Sequence, residues 1–265
     1  MGFMDPGNVV RFEIATADGQ AVQDFYGALL GWSFAADPDS SVGAVACMRI
    51  TAPGTPVPMG AIHEDADGPE ERVSVCVVSA DVAADRERLE KLGASVVVPE
   101  TRAPDGTWSA RMADPRGNVF SIVGDGPVRE QDEPVAAGPV PGSYAWFEVG
   151  TTDSEATEGF YSAAFGWRFV FDDTAGGKRY HNVFTGNQWP SGGMYDLGAD
   201  GVDYLMPDFL VTDVPATTAR AVELGAKVEF GPDTNPDGLV YSRIVDPRGN
   251  RFGLFSMPTA GQVLA

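Results

Sequence analysis

The sequence predicts an α+β fold made twice over: two tandem domains, each of two β-α-β-β-β units. Three observations predict it. The pentapeptide DPRGN stands at Asp114–Asn118 and again at Asp246–Asn250, 132 residues later. The run FYGALLGWSF at 25–34 returns as FYSAAFGWRF at 160–169, an offset of 135. Between these landmarks, alternating strand-like runs and amphipathic helical runs follow one another in the same order in both halves. The segment GPVREQDEPVAAGPVP, rich in Pro, Gly and charge, reads as a linker. The predicted domains are therefore 1–125 and 142–265, joined by 126–141.

Residues 9–16, VVRFEIAT, alternate as a strand. Asp18 is a candidate N-cap and Gly31 a stop for a helix whose expected buried face is Ala21, Phe25, Ala28 and Leu29. Short strands follow at 32–35, 44–50 and 58–63, the last two separated by the loop TAPGTPVP. A second unit opens at RVSVCVV, 72–78, followed by an amphipathic helix over 81–92 and strands at 95–98, 107–112 and 118–123. Asp, Pro and Gly at the first, second and fourth places of DPRGN suit a type I turn, so each copy predicts a tight hairpin. The order restarts at SYAWFEVGTTD, 143–153. Strands are expected near 178–185, 192–195, 203–211, 227–230, 239–245 and 250–255, with a helix over 214–224.

Composition narrows the function. The 265 residues are 43% hydrophobic, enough to fill a core, and carry a net charge of −20 with a pI near 4.2. Such a chain lacks the basic surface that nucleic acid or an anionic membrane requires. The acidity would attract a cationic ligand, and it also keeps a protein soluble. Cys47 and Cys76 sit in apolar runs and read as single buried thiols, with no disulfide framework. The first residues lack the pattern of a signal peptide, and no apolar run approaches the about 18 residues of a membrane span. A cytoplasmic location is expected.

The helix at the front of each unit, the FY…GW run and the closing DP-G-N hairpin resemble the vicinal oxygen chelate superfamily of glyoxalases, bleomycin-resistance proteins and extradiol dioxygenases. The resemblance covers nearly the whole chain. It implies curved sheets forming two cups with helices outside. The tandem arrangement with its WFEV and FY-GW motifs is similar to an acidic bacterial subgroup often labelled hydroxylase-like. Metal-using members of the superfamily place His or Glu at inward strand positions, because imidazole and carboxylate offer lone pairs to a divalent cation. Carried onto this chain, those positions hold Arg11, Ser74 and Ser121 in the first half, and Trp146, Met206 and Gly253 in the second. None is a metal ligand by chemistry, so no metal and no other cofactor is expected. His63 beside Glu64 and Asp65 reads as a surface residue at a strand end. No nucleophile elbow, phosphate loop or dinucleotide fingerprint occurs.

Strand parity leaves other candidates. Glu13 and Glu148 are repeat-equivalent and inward, as acid–base groups or as partners of the equivalent Arg111 and Arg243. Glu148, Asp208 and His181 are the candidate acid–base residues, although His181 could equally be a residue of the sheet. Arg11, Glu13, Trp146, Tyr180, Trp189, Tyr195, Tyr204 and Arg251 are the candidate ligand-binding residues, the aromatics suiting a flat apolar molecule. The resemblance implies a metal-independent protein, monomeric through paired domains or a homodimer, that binds an aromatic or cationic metabolite or antibiotic in a cup. The alternative is a metal-free isomerase, cyclase, lyase or hydroxylase-like enzyme, and a metal-dependent lyase or dioxygenase stands last.

Overall fold

The computed structural model describes residues 4–40, 45–64, 72–124 and 138–258. The first half runs β1 (Val9–Thr16), α1 (Gly19–Leu30), β2 (Ser33–Ala36), a 3-10 turn (Pro38–Ser40), β3 (Ala46–Thr51), β4 (Pro58–Glu64), β5 (Arg72–Val78), α2 (Val82–Lys91), β6 (Ser95–Arg102), β7 (Trp108–Ala113) and β8 (Val119–Gly124). The second runs β9 (Tyr144–Thr151), α3 (Ser154–Phe165), β10 (Arg168–Phe171), β11 (Tyr180–Phe184), β12 (Gly192–Asp196), β13 (Tyr204–Leu210), α4 (Val214–Glu223), β14 (Lys227–Thr234), β15 (Val240–Val245) and β16 (Arg251–Ser256). Most of the proposed linker, residues 126–137, and Asp65 lie outside the described residues. β6 and β14 run four residues beyond their expected ends, and β10 appears without having been expected.

Every helix begins in the same way. Asp18, Asp81, Asp153 and Asp213 each accept the backbone N–H of the Ala three residues on, at 3.0, 3.0, 3.1 and 2.9 Å. This satisfies a donor that the first helical turn would otherwise leave open. Gly31 and Gly166 end α1 and α3 at φ of 71° and 70°, a left-handed conformation that favours glycine. The buried face of α1 is Val22, Phe25, Tyr26 and Leu30, one step round from the expected Ala21, Ala28 and Leu29. The large side chains, not the alanines, are the ones whose burial stabilises most, at roughly 1.5–3 kcal/mol each.

The strands form two eight-stranded sheets, β2-β3-β4-β1-β5-β8-β7-β6 and β10-β11-β12-β9-β13-β16-β15-β14. Each is mixed: β1 runs parallel to β4 and antiparallel to β5, as β9 does to β12 and β13. Laid flat, eight strands at about 4.8 Å spacing would hold their edges about 34 Å apart. In both sheets the edges touch. Asp105 N–H donates to Asp39 C=O at 2.9 Å in the first. In the second, Lys178, between β10 and β11, donates to Asp233 Oδ2 on β14 at 2.9 Å. Each sheet is therefore curled into a cup.

The helix-bearing faces of the two sheets pack together. One core cluster joins Val75, Val77, Leu89 and Phe120 to Phe147, Tyr161, Trp167 and Met194. The other joins Phe12, Tyr26, Trp32 and Ile62 to Phe209, Val214, Ile244 and Phe252. Each core is shared, so neither half buries its apolar face alone. Trp32 Nε1 donates to Gly142 C=O at 2.7 Å, and its repeat-equivalent Trp167 to Gly7 C=O at 2.8 Å. No helix among the described residues is long and apolar enough to cross a membrane.

Candidate ligand site in the second cup

Sheet register decides which side chains line each cup. In the first, the helix-free face carries Arg11 and Glu13 of β1, opposite Cys76 and Ser74 of β5. His63 of β4 lies opposite Cys47 of β3 on the same face. Glu13 is buried and accepts hydrogen bonds from Ser121 Oγ at 2.8 Å and Arg11 Nη2 at 3.4 Å, with His63 Nε2 at 3.5 Å. Burial alone would raise its pKa; His63, Arg11 and Arg111 outweigh that and hold it well below the usual carboxylate range. His63 is thus a partner of Glu13 inside the cup and not the surface residue expected. Burial pushes the Cys47 thiol up to about 12 and Cys76 well above its ordinary value. The first cup thus carries an ionic and thiol network centred on Glu13.

The second cup keeps the geometry and changes the chemistry. Register pairs Trp146 with Asp208, Glu148 with Met206, and Tyr180 with Tyr195. Superposing the two registers, Arg11 gives way to Trp146, Cys47 to Tyr180, His63 to Tyr195 and Arg72 to Tyr204. Two further exchanges make room. Ala61 becomes Gly193, where any Cβ would overlap the Tyr180 ring, and Ser121 becomes Gly253, where a Cβ would overlap Asp208 Oδ1. Trp146 Nε1 donates to Tyr180 Oη at 3.1 Å, fixing the two aromatic planes to each other.

Glu148 keeps the partner of its repeat position. Arg243 Nη2 donates to Glu148 Oε1 at 3.1 Å, and the Tyr204 hydroxyl donates to the same oxygen while accepting from Arg243. The Tyr204 ring lies 4.2 Å from the Arg243 guanidinium and 5.1 Å from that of Arg251. Arg251 itself binds Glu229 through two hydrogen bonds of 2.7 and 2.6 Å at the rim. Asp208 differs from all of these. It is 7% exposed, and no described residue donates a hydrogen bond to its side chain. Burial, with the Glu148 carboxylate beside it, pushes its pKa well above the carboxylate range against the pull of Arg243. A buried carboxyl in that setting keeps its proton to higher pH than an ordinary aspartate.

Two candidates do not join this group. His181 lies on the other face: its register partner Met194, and Val183 two residues on, belong to the shared core. The odd-even parity of β11 puts Tyr180, not His181, in the cup. Trp189, in the loop before β12, is 76% exposed. Lys178 was not among the sequence candidates. It reaches Asp233 Oδ2, Asn235 Oδ1 at 3.3 Å and the Tyr241 hydroxyl, tying the two sheet edges together over the cup. Beside the cup, a crevice of about 270 Å³ between the halves is bordered by Arg72, Asn118, Tyr204, Asn250 and Arg251.

The metal-bearing positions implied by the fold do not fit a metal here. The guanidinium of Arg11 has no lone pair to give and would repel a cation, while Trp146 fills its position with an indole. Met206 offers only a thioether and Gly253 no side chain at all. Among the described residues, no group of three His, Cys, Asp or Glu side chains comes together as a ligand set.

The glyoxalase-like domain family model matches residues 11–123 and again 146–255. The chain belongs to the glyoxalase-like domain family. Over 96% of its length it is 30% identical to the anthracycline biosynthesis protein DauV of Streptomyces sp. (strain C5), covering 95% of that protein. It is 29% identical to the anthracycline biosynthesis protein DnrV of Streptomyces peucetius, over 95% of this chain and 94% of that one. Among solved structures, the Mn(II)-bound glyoxalase from Novosphingobium aromaticivorans aligns with 95% of this chain and 82% of its own, with a TM-score of 0.59 and 16% identity. That likeness is one of fold.

Proposed function

We propose that this glyoxalase-like protein binds a polycyclic aromatic small molecule in its second cup without the help of a metal. The observation that carries the reading is the replacement of Arg11, Cys47, His63 and Arg72 by Trp146, Tyr180, Tyr195 and Tyr204 on the matching inner face. Indole and phenol rings offer apolar planes and a few polar tips, which suits a flat fused-ring ligand. The first cup carries charged and thiol groups around Glu13 in place of those rings. The similarity to proteins named for anthracycline biosynthesis supports a ligand of the fused-ring quinone type, and the net charge of −20 favours one carrying an amine.

The test is a calorimetric titration of chelator-treated protein with a soluble hydroxyanthraquinone. One saturable site is expected, abolished in Trp146→Arg, which restores the first-cup residue. Unchanged binding in that variant would place the ligand elsewhere. A second reading, metal-free acid–base catalysis, is favoured by one observation: Asp208 is a buried carboxyl beside Glu148, and burial raises its pKa. Under it, incubated ligand is converted to a product of altered mass or retention, and Glu148→Gln stops the conversion while leaving the fold intact.

A further inference from the structure

The floor of the second cup carries a group that the rest of the protein does not use. Asp208 stands where the first half has Cys76, and its register partner on β16 is Gly253. The missing side chain at Gly253 is what lets the Asp208 carboxyl lie against the sheet, since a Cβ there would overlap Oδ1. The charged and hydroxyl groups around it each have a partner elsewhere. Glu148 is held by Arg243 and Tyr204, Arg251 by Glu229, and the Tyr180 hydroxyl by Trp146. Asp208 alone in this lining is nine-tenths buried with no hydrogen-bond donor from a described residue. A buried carboxyl without a partner has lost hydration that a complementary ligand atom would make good.

Resting on the reading of the second cup as a ligand site, we propose that Asp208 donates a hydrogen bond through its carboxyl O–H to a carbonyl oxygen of the bound ring system. The site thereby takes oxygenated polycycles, quinones or ring ketones, in preference to the corresponding hydrocarbons. Three features combine to make this donor. The carboxyl is 7% exposed, the absent side chain at Gly253 leaves it room against the sheet, and no described protein group hydrogen-bonds it. The groups facing Asp208 are Tyr144 and Glu148 of β9, Tyr180 of β11, Tyr204 of its own strand and Arg243 of β15. The three tyrosines are all raised by burial, so they stay neutral and leave Glu148 and Arg243 as the charges acting on it.

The test compares two probes that differ only in their carbonyl oxygens, aminomethyl-anthraquinone and aminomethyl-anthracene, by fluorescence titration of the whole chain. Wild type is expected to bind the quinone about tenfold more tightly, the value of one net hydrogen bond. Asp208→Leu loses that preference. Asp208→Asn, whose amide N–H donates at every pH, keeps it. The wild-type preference fades as pH rises through the titration of Asp208, whereas that of Asp208→Asn does not. Equal affinity of wild type for both probes would overturn the role of Asp208 and leave the cup reading standing. Binding of neither probe would overturn the cup reading itself.

Discussion

The hydroxyl of Tyr26 donates a hydrogen bond of 3.1 Å to Asp246 Oδ2, 220 residues along the chain, and Tyr161 repeats the bond to Asp114 Oδ2 at 2.9 Å. Each tyrosine belongs to the FY run of one half and each aspartate to the DPRGN turn of the other. The same aspartates accept N–H groups within their own turns, Asp114 from Arg116 and Asn118, and Asp246 from Arg248 and Asn250. The two motifs that mark the repeat are therefore the two sides of one joint between domains. The indoles of Trp32 and Trp167 stack on the same tyrosines at 4.6 and 4.7 Å.

Because the cores are shared, the halves should unfold together. Tyr161→Phe leaves the ring in place and removes one buried hydrogen bond, so it is expected to cost about 1–2 kcal/mol. Urea unfolding followed by fluorescence and by circular dichroism should give one coincident transition, shifted to lower urea in the variant. Two separated transitions would contradict a shared core.

A second cross-domain contact predicts acid sensitivity. Arg116, in the first turn, donates to Asp203 at 2.9 and 3.1 Å, and Thr152 N–H to the same carboxylate at 3.0 Å. Burial raises Asp203, but these donors outweigh it and bring its pKa down to about 2. The folded value lies below the unfolded value of about 3.9. The pair therefore stabilises the protein fully above about pH 4 and progressively less as pH falls towards 2. Thermal unfolding of Asp203→Asn should fall below wild type at neutral pH and converge with it in acid.

The two thiols should be silent in the native protein. Cys47 and Cys76 are 4% and 0% exposed, and burial raises both. A thiolate-specific disulfide reagent at mildly alkaline pH should label neither until denaturant is added, then both. Rapid native labelling would mean that the first cup opens.

Gly253→Ala tests the floor of the second cup. The added methyl must displace Asp208 or the strand beneath it, an overpacking cost of about 1–3 kcal/mol. The variant should melt lower than wild type and bind a hydroxyanthraquinone more weakly. Wild-type affinity in a folded variant would show that Asp208 need not lie on the sheet.

Much of the fold was legible because it was written twice. Asp18 and Gly31 mark the ends of α1 by local rules that need no tertiary knowledge, and DPRGN specifies its own turn. The register of β9 and β13, and so the inward set Trp146, Glu148, Tyr204 and Asp208, follows from strict alternation. What escaped was non-local. His63 reads as a surface residue at a strand end, yet β4 pairs directly with β1 and sets it beside Glu13 on the same face. His181 could be assigned to a face only once its pairing with Met194 was known. Lys178 acquires its role from sheet edges that meet across the cup. Gly253 was recoverable: comparing it with Ser121 in the repeat already marks a side chain removed beneath Asp208.

The most direct test of the central claim is native mass spectrometry of chelator-treated protein mixed with a hydroxyanthraquinone, with elemental analysis of the same sample. The account predicts a single ligand per chain in the metal-free protein, absent in Trp146→Arg. A complex that forms only when a divalent metal is restored, or one that survives Trp146→Arg, would contradict it.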